Sequence, residues 1–285
     1  MSDSEEEDHQ SNKQLMLFIH GFPEFWYSWR HQIREFSPDY RTLAVDLRGY
    51  GLSDKPLGCH NYTLDLCVED IWELVASIYR NRLHKQPIVL VGHDWGGLIG
   101  WKFTGKYPQL VDRLIVLNSP HPQVLRDSLR CSPKQFFSSW YMYFFNLPLL
   151  PELVLLSNDL QLFDICMVAA DGHPMFSRDD MDAYKYVFSR SSGLTGPLNY
   201  YRAFLRRRRS SRKYPSDRPK NIMTIKVPTL IIWGKRDIAF SEQLATDAHR
   251  YVQDLTVQYI DNCSHWTQLD QPMIVNQYIR QYLNK

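Results

Sequence analysis

Val89-Leu-Val-Gly-His-Asp-Trp-Gly-Gly97 decides how this chain is read. A β-rich run, Pro87 to Val91, ends in Gly92-His93-Asp94-Trp95-Gly96 and passes directly into a helical pattern from Trp95 to Tyr107, stopped by Pro108. Strand, sharp turn and helix in that order make a nucleophile elbow, with Asp94 where serine hydrolases carry serine. So tight a turn leaves no room for side chains two residues before and two after its apex, and both positions, Gly92 and Gly96, are glycine. The helix start beside Asp94 favours a negative charge. On this segment alone, an aspartate that merely caps the helix remains an alternative.

Outward from the elbow, short apolar runs alternate with helical patterns. Leu15 to Ile19 ends in His20-Gly21, and Arg41 to Val45 ends in Asp46-Leu-Arg-Gly-Tyr-Gly51. Both read as buried strands running into loops. From Leu64 to Tyr79, Leu66, Ile71, Leu74, Val75 and Ile78 fall largely on one helical face. Leu114 to Leu117 is a further strand. After Pro120-His-Pro122 the pattern changes to an aromatic, helix-like block with Pro and Gly breaks. Strands then return at Leu230 to Trp233 and Thr256 to Ile260, with helices expected over Ser241 to Tyr251 and Pro272 to Leu283. Such alternation predicts an α/β fold with a mostly parallel sheet covered on both faces. The expected organisation is a disordered acidic tail over 1–14, a core over 15–122 and 219–285, and an inserted helical cap over 123–218.

The bulk properties narrow the function. The 285 residues carry a formal net charge of +2, so the overall field gives no reason to expect nucleic acid as a partner. The polar acidic start, Met1-Ser-Asp-Ser-Glu-Glu-Glu-Asp8, is unlike a signal or transit peptide. No apolar window is long enough to span a membrane. The expected location is cytoplasmic, with peripheral contact at the endoplasmic reticulum membrane left open. One feature bearing on that is the basic run Arg206-Arg-Arg-Arg209 with Arg212 and Lys213, which reads as a solvated loop or as a contact for anionic headgroups. The five cysteines show neither CxxC nor zinc-like spacing, so unpaired thiols and no metal are expected.

A carboxylate nucleophile attacks an electrophilic carbon and forms an ester, and a general base must then activate water to release it. His265, in Asn262-Cys-Ser-His-Trp266, and Asp237, in Gly234-Lys-Arg-Asp237, each follow a predicted strand. Open α/β sheets place their sites at such strand ends. The order nucleophile, acid, histidine is that of α/β-hydrolases. The oxyanion formed during ester hydrolysis needs fixed donors. The backbone N–H groups of Trp95 and Phe22 are the candidates, the latter within His20-Gly21-Phe22-Pro23. A cis Phe22–Pro23 bond is expected in so sharp a loop. His20 reads as a structural histidine of that loop rather than a proton-transfer group.

Together His20-Gly-Phe-Pro-Glu24, Asp46-Leu-Arg-Gly-Tyr-Gly51, Gly92-His-Asp-Trp-Gly-Gly97, Gly196-Pro-Leu-Asn-Tyr-Tyr-Arg202 and Ser264-His-Trp-Thr-Gln268 resemble the animal epoxide hydrolases, most nearly the epoxide hydrolase 3 and 4 subfamily. The resemblance implies an α/β-hydrolase fold without cofactor that opens small apolar epoxides, of fatty acids or aryl compounds, to diols. It implies Asp94 as nucleophile and Asp237–His265 as the charge pair. It also implies two cap tyrosines donating to the epoxide oxygen: Tyr201, and Tyr143, with Tyr141 two residues away as the other choice. Two competing functions share the elbow aspartate. One is haloalkane dehalogenation, against which Phe22 offers no side-chain donor for a halide. The other is a catalytically inactive ligand-binding protein. The family carries about two strands ahead of the His-Gly-Phe-Pro loop. The 14 residues here do not hold them, so a sheet lacking those strands is expected. Oligomeric state is not readable.

Overall fold

The computed structural model describes residues 13–80, 86–131, 140–190, 193–213 and 223–285. The expected tail over 1–14 lies almost wholly outside the described residues. Six strands, β1 (Leu15–Ile19), β2 (Arg41–Val45), β3 (Ile88–His93), β4 (Val111–Leu117), β5 (Thr229–Gly234) and β6 (Leu255–Ile260), form one sheet in the order β2-β1-β3-β4-β5-β6. Every pairing is parallel.

Parallel strands must be covered on both faces, and the alternation within β1 shows how. Leu15, Leu17 and Ile19 pack into one apolar cluster with Ile71 and Val75 of α2 (Leu64–Arg80) and Ile99 and Phe103 of α3 (Trp95–Lys106). Met16 and Phe18 face the other side, against Trp29, Phe36 of α1 (Arg30–Phe36), and Val275 and Ile279 of the last helix, Pro272–Leu283. Each fully buried side chain of this size contributes roughly 1.5–3 kcal/mol.

Between β4 and β5 the described residues are mostly helical. They form α4 (Pro122–Cys131), α5 (Trp140–Phe145), α6 (Leu150–Cys166), α7 (Arg178–Ser189) and α8 (Thr195–Lys213). Helical geometry in α6 is interrupted at Ser157–Leu160. A capping box starts α7: Ser177 Oγ accepts from the Asp180 N–H and the Asp180 carboxylate accepts from the Ser177 N–H. The backbone of α8 continues through Arg206-Arg-Arg-Arg209, although beyond Arg206 the side chains of that run lie outside the description.

The helix expected over Ser241 to Tyr251 is instead a short α9 (Gln243–Thr246) continued by a 3₁₀ turn, Asp247–Arg250. Only Leu244, Ala245 and Ala248 are buried there, too narrow an apolar stripe to hold a longer helix against the core. Two helices follow β6: α10 (Thr267–Asp270) and α11 (Pro272–Leu283). Cys59, Cys67, Cys166 and Cys263 are free thiols. No described helix is long and apolar enough to cross a membrane.

Candidate active site

All the loops that carry the candidate residues leave the C-terminal ends of their strands. The sequence runs from β1 to β2 on one side and reaches β3 on the other, so the sheet order switches at β1. The crevice above that point is where parallel sheets hold ligands. The loop after β1 and the elbow after β3 meet there.

Asp94 sits at the apex of the elbow with φ +49°, in the left-handed region that a non-glycine residue enters only when its surroundings impose it. A Cβ at Gly96 would fall 2.0 Å from the Ile19 carbonyl oxygen, and one at Gly92 2.6 Å from the Gly96 oxygen. Those contacts give the structural reason for both glycines. Asp94 is 7% exposed. Its backbone carbonyl accepts from Ser119 Oγ at 2.7 Å. Its two carboxylate oxygens are held differently. Oδ1 accepts the Phe22 N–H at 3.0 Å, whereas Oδ2 lies 3.7 Å from Nε2 of His265. The Phe22–Pro23 bond in this loop is cis, as expected. Gly21 lets the loop approach so closely, since a Cβ there would fall 2.4 Å from Asp94 Cβ.

His265 Nδ1 donates to Asp237 Oδ2 at 2.8 Å. Asp237 is fixed by three further donors. Oδ1 accepts the N–H groups of Ala239 at 2.7 Å and Phe240 at 2.9 Å, and Oδ2 accepts Asn118 Nδ2 at 2.6 Å. Burial alone would lower the pKa of His265. The charge of Asp237 and its hydrogen bond, joined by Asp94, override that and raise it from 6.5 to about 10. The two acidic neighbours thus favour the charged form of the ring.

His20 is buried, with Nδ1 2.8 Å from the Gly21 carbonyl oxygen and Nε2 accepting from the Leu47 N–H at 3.1 Å. That pairing requires the neutral tautomer protonated at Nδ1, and burial accordingly lowers its pKa. The ring is a brace between the β1 and β2 loops.

Among the tyrosines, Tyr201 is 4% exposed and its ring packs against Phe22, Trp95 and Phe145, with centroids 5.3, 5.0 and 5.0 Å away. Burial, and then the charge of Asp94, push its pKa well up, so the phenol stays protonated. The two tyrosines of α5 are placed differently. Tyr143 is 39% exposed, at the surface of α5. Tyr141 packs on Tyr201 with centroids 6.0 Å apart, and its pKa is raised by burial and then by the charges of Asp94 and Asp237. Tyr141, not Tyr143, is the α5 tyrosine beside the carboxylates.

Four polar residues that sequence reasoning did not assign to the site support it from behind. Glu24 is fully buried. Its Oε2 accepts from the Gly21 N–H at 2.8 Å and lies 2.7 Å from His93 Nδ1, and its Oε1 accepts from Gln268 Nε2 at 2.6 Å. Burial works against its ionisation, but the charge of His93 and these hydrogen bonds hold its pKa below the usual carboxylate value. The other ring nitrogen of His93, Nε2, lies 2.9 Å from the His265 carbonyl oxygen. One buried chain of contacts thus joins the Phe22 loop, the elbow and the histidine loop. Asn118, at the end of β4, receives the Gly234 N–H on Oδ1 at 2.8 Å while donating to Asp237. Its place at a strand's C-terminal end was the available signal. Among the described residues no group of three or more His, Cys, Asp or Glu is arranged to hold a metal.

Comparison with known proteins follows the same lines. The family model for the alpha/beta hydrolase fold matches residues 14–272. Epoxide hydrolase 1 of Caenorhabditis elegans is 39% identical over 279 residues, covering 96% of this chain and 66% of that protein. Human epoxide hydrolase 4 is 38% identical over 282 residues, covering 97% and 74%. The chain thus spans about two thirds to three quarters of the length of these relatives. Among solved structures, that of a Bacillus megaterium epoxide hydrolase with an inhibitor superimposes with a TM-score of 0.83 at 33% identity, covering 95% of this chain and 94% of that one.

Proposed function

Because the chain belongs to the epoxide hydrolases of the alpha/beta hydrolase fold, we propose that it opens apolar epoxides to vicinal diols through an ester on Asp94. The observation that carries this reading is the inequivalence of the two Asp94 oxygens. Oδ1 is already occupied by the Phe22 N–H, so Oδ2 is the attacking atom. It bonds to an epoxide carbon as the carbon–oxygen bond of the ring breaks. The alkoxide oxygen takes its proton from the tyrosine pair Tyr141 and Tyr201, whose phenols are held protonated beside it.

The second half follows from charge. Esterification removes the negative charge of Asp94, one of the two that hold the proton on His265. The imidazolium then gives up its Nε2 proton more readily, the phenolate left by ring opening recovers a proton, and the neutral ring becomes a base for water. Water adds to the ester carbonyl carbon, and the charge that develops on Oδ1 is met by the N–H groups of Phe22 and Trp95. His265 returns the proton taken from water to the leaving Oδ2, so collapse expels the diol with Oδ2 in it, and the oxygen of water stays on Asp94. Asp237 orients the ring and stabilises its charged form throughout. The helices between β4 and β5 act as the cap, and the aromatic faces of Phe22, Trp95, Phe145 and Tyr201 support an aryl or long-chain substituent.

Single turnover with enzyme in excess, in ¹⁸O-labelled water, tests the covalent route. Unlabelled first-turnover diol is expected, with label appearing in Asp94. Labelled diol at the first turnover, or undiminished activity in Asp94→Ala, would overturn the ester mechanism.

A further inference from the structure

The backbone on the carbonyl side of His265 is held by the core, through His93 Nε2 and the carbonyl oxygen. On the amide side the grip comes from Asp270, in the short helix that follows. Its Oδ2 accepts the Ser264 N–H at 2.6 Å. The same oxygen accepts the N–H of Ala170, in the helical insertion, at 3.0 Å. The Ala170 segment is itself braced by a bridge between Val168 and Pro174 and by the Ala169 N–H donating to the His173 carbonyl at 2.9 Å. Just beyond it, Met175 Sδ lies 3.9 Å from Ser264 Oγ. One carboxylate oxygen therefore joins the insertion to the residue preceding the candidate base.

The insertion has other fastenings to the core. Asp180 Oδ1 receives Tyr27 Oη at 2.8 Å and lies 3.3 Å from Arg30 Nε. Tyr200 Oη donates to the Arg48 carbonyl at 3.0 Å. Neither of these touches the histidine loop. Asp270 does, and its position matters because the 3.7 Å from His265 Nε2 to Asp94 Oδ2 is longer than a hydrogen bond. Where the ring stands in that gap is set by the main chain at 264–265.

We propose that Asp270 is a positioning residue for the water-activating step, through which the seating of the insertion over the site fixes the reach of His265 toward Asp94. The inference rests on the proposed ester mechanism, and it assigns Asp270 to ester hydrolysis rather than ester formation. A cap that is lifted pulls on Ser264 through the shared oxygen, so the base is aligned only while the cap is seated.

The test uses the whole chain with styrene oxide as probe. Formation and decay of the ester are timed separately by rapid quench and intact-protein mass measurement. Asp270→Ala is expected to slow decay by about 10- to 100-fold, the range for a lost alignment, while formation changes less than about twofold. Asp270→Asn keeps one oxygen acceptor and is expected to decay within about threefold of wild type. Asp180→Asn, which removes one contact of the insertion remote from the histidine loop and keeps the Asp270 contacts seated, is expected to leave decay unchanged. Equal slowing of both steps in Asp270→Ala, unchanged decay, or an Asn variant no better than Ala would overturn the proposal. The downfield proton resonance of His265 Nδ1–H gives a readout that needs no turnover. It should shift or broaden in Asp270→Ala and hold in Asp180→Asn; an unmoved resonance in Asp270→Ala overturns the proposal. Absence of any ester in the wild type would instead refute the epoxide reading, leaving the resonance to decide the role of Asp270.

Discussion

The Phe22 amide and the Asp94 carboxylate are hydrogen-bonded at 3.0 Å across 72 positions of sequence. Gly21 sets that distance. Replacing it with alanine puts a methyl 2.4 Å from Asp94 Cβ, a contact that neither rigid backbone absorbs. Gly21→Ala is expected to lose about 10²- to 10³-fold in kcat, the usual effect of displacing one oxyanion donor. Steady-state diol formation, with circular dichroism to establish the fold, checks it; near wild-type turnover would remove the Phe22 N–H from the mechanism.

Asp237 is expected to matter mainly after the ester has formed. In Asp237→Asn the amide leaves His265 without its anionic partner and invites the wrong tautomer. Turnover should fall by roughly 10³- to 10⁴-fold, by analogy with the corresponding change in serine proteases. The enzyme should accumulate with the mass of one substrate added. A slow variant that never carries that mass would place Asp237 in ring opening instead.

The pH dependence of stability has a definite sign. The folded-state pKa of His265 is raised from 6.5 to about 10, so its stabilisation is complete below pH 6.5 and is lost as pH rises through about 10. The melting temperature of the wild type should therefore decline more steeply across that window than that of His265→Gln. Parallel curves would show that the two carboxylates do not hold the proton. Decay of the ester, which needs the neutral ring, should quicken with rising pH and then level off.

The α5 helix separates two tyrosines by placement alone. Tyr141→Phe and Tyr201→Phe should each slow ester formation by about 10²-fold, within the range of a lost general acid. Tyr143→Phe should leave it within twofold, because that ring is at the surface. Stopped-flow quenching of tryptophan fluorescence would separate the three; a large loss in Tyr143→Phe alone would reverse the assignment.

Glu24 offers a stability test away from the reacting atoms. Glu24→Ala strands the Gly21 N–H, His93 and Gln268 in the interior. Breaking a buried pair in this way costs about 3–5 kcal/mol. Denaturant titration would read the loss, and a change below ~1 kcal/mol would mean that water replaces the carboxylate.

The central strands were legible because each is an apolar run buried on both faces, as in Leu15–Ile19, whereas the edge strands β2 and β6 are only half-buried and show as shorter apolar stretches beside Arg41 and Gln258. Asp94, Asp237 and His265 could be singled out because each lies at or within a few residues of a strand's C-terminal end, after β3, β5 and β6. Glu24, Asn118 and Gln268 were not, since what they do depends on partners up to 244 positions away. The choice between Tyr141 and Tyr143 was beyond the sequence for a simpler reason. Two steps along a helix turn a side chain through about 200°, so the phase of α5 decides which tyrosine looks inward. The helix over Ser241 to Tyr251 failed because sequence periodicity does not weigh how little apolar surface Leu244, Ala245 and Ala248 supply.

The contacts that define the site close loops of 72, 119 and 172 residues. Loops of that span cannot form piecemeal, because each closure forfeits chain entropy that only the assembled sheet repays. No fragment or partly folded intermediate can hold Phe22, Asp94, Asp237 and His265 together. Assembly of the sheet is consequently a condition of catalysis: in graded denaturant, no turnover should survive wherever the sheet is lost.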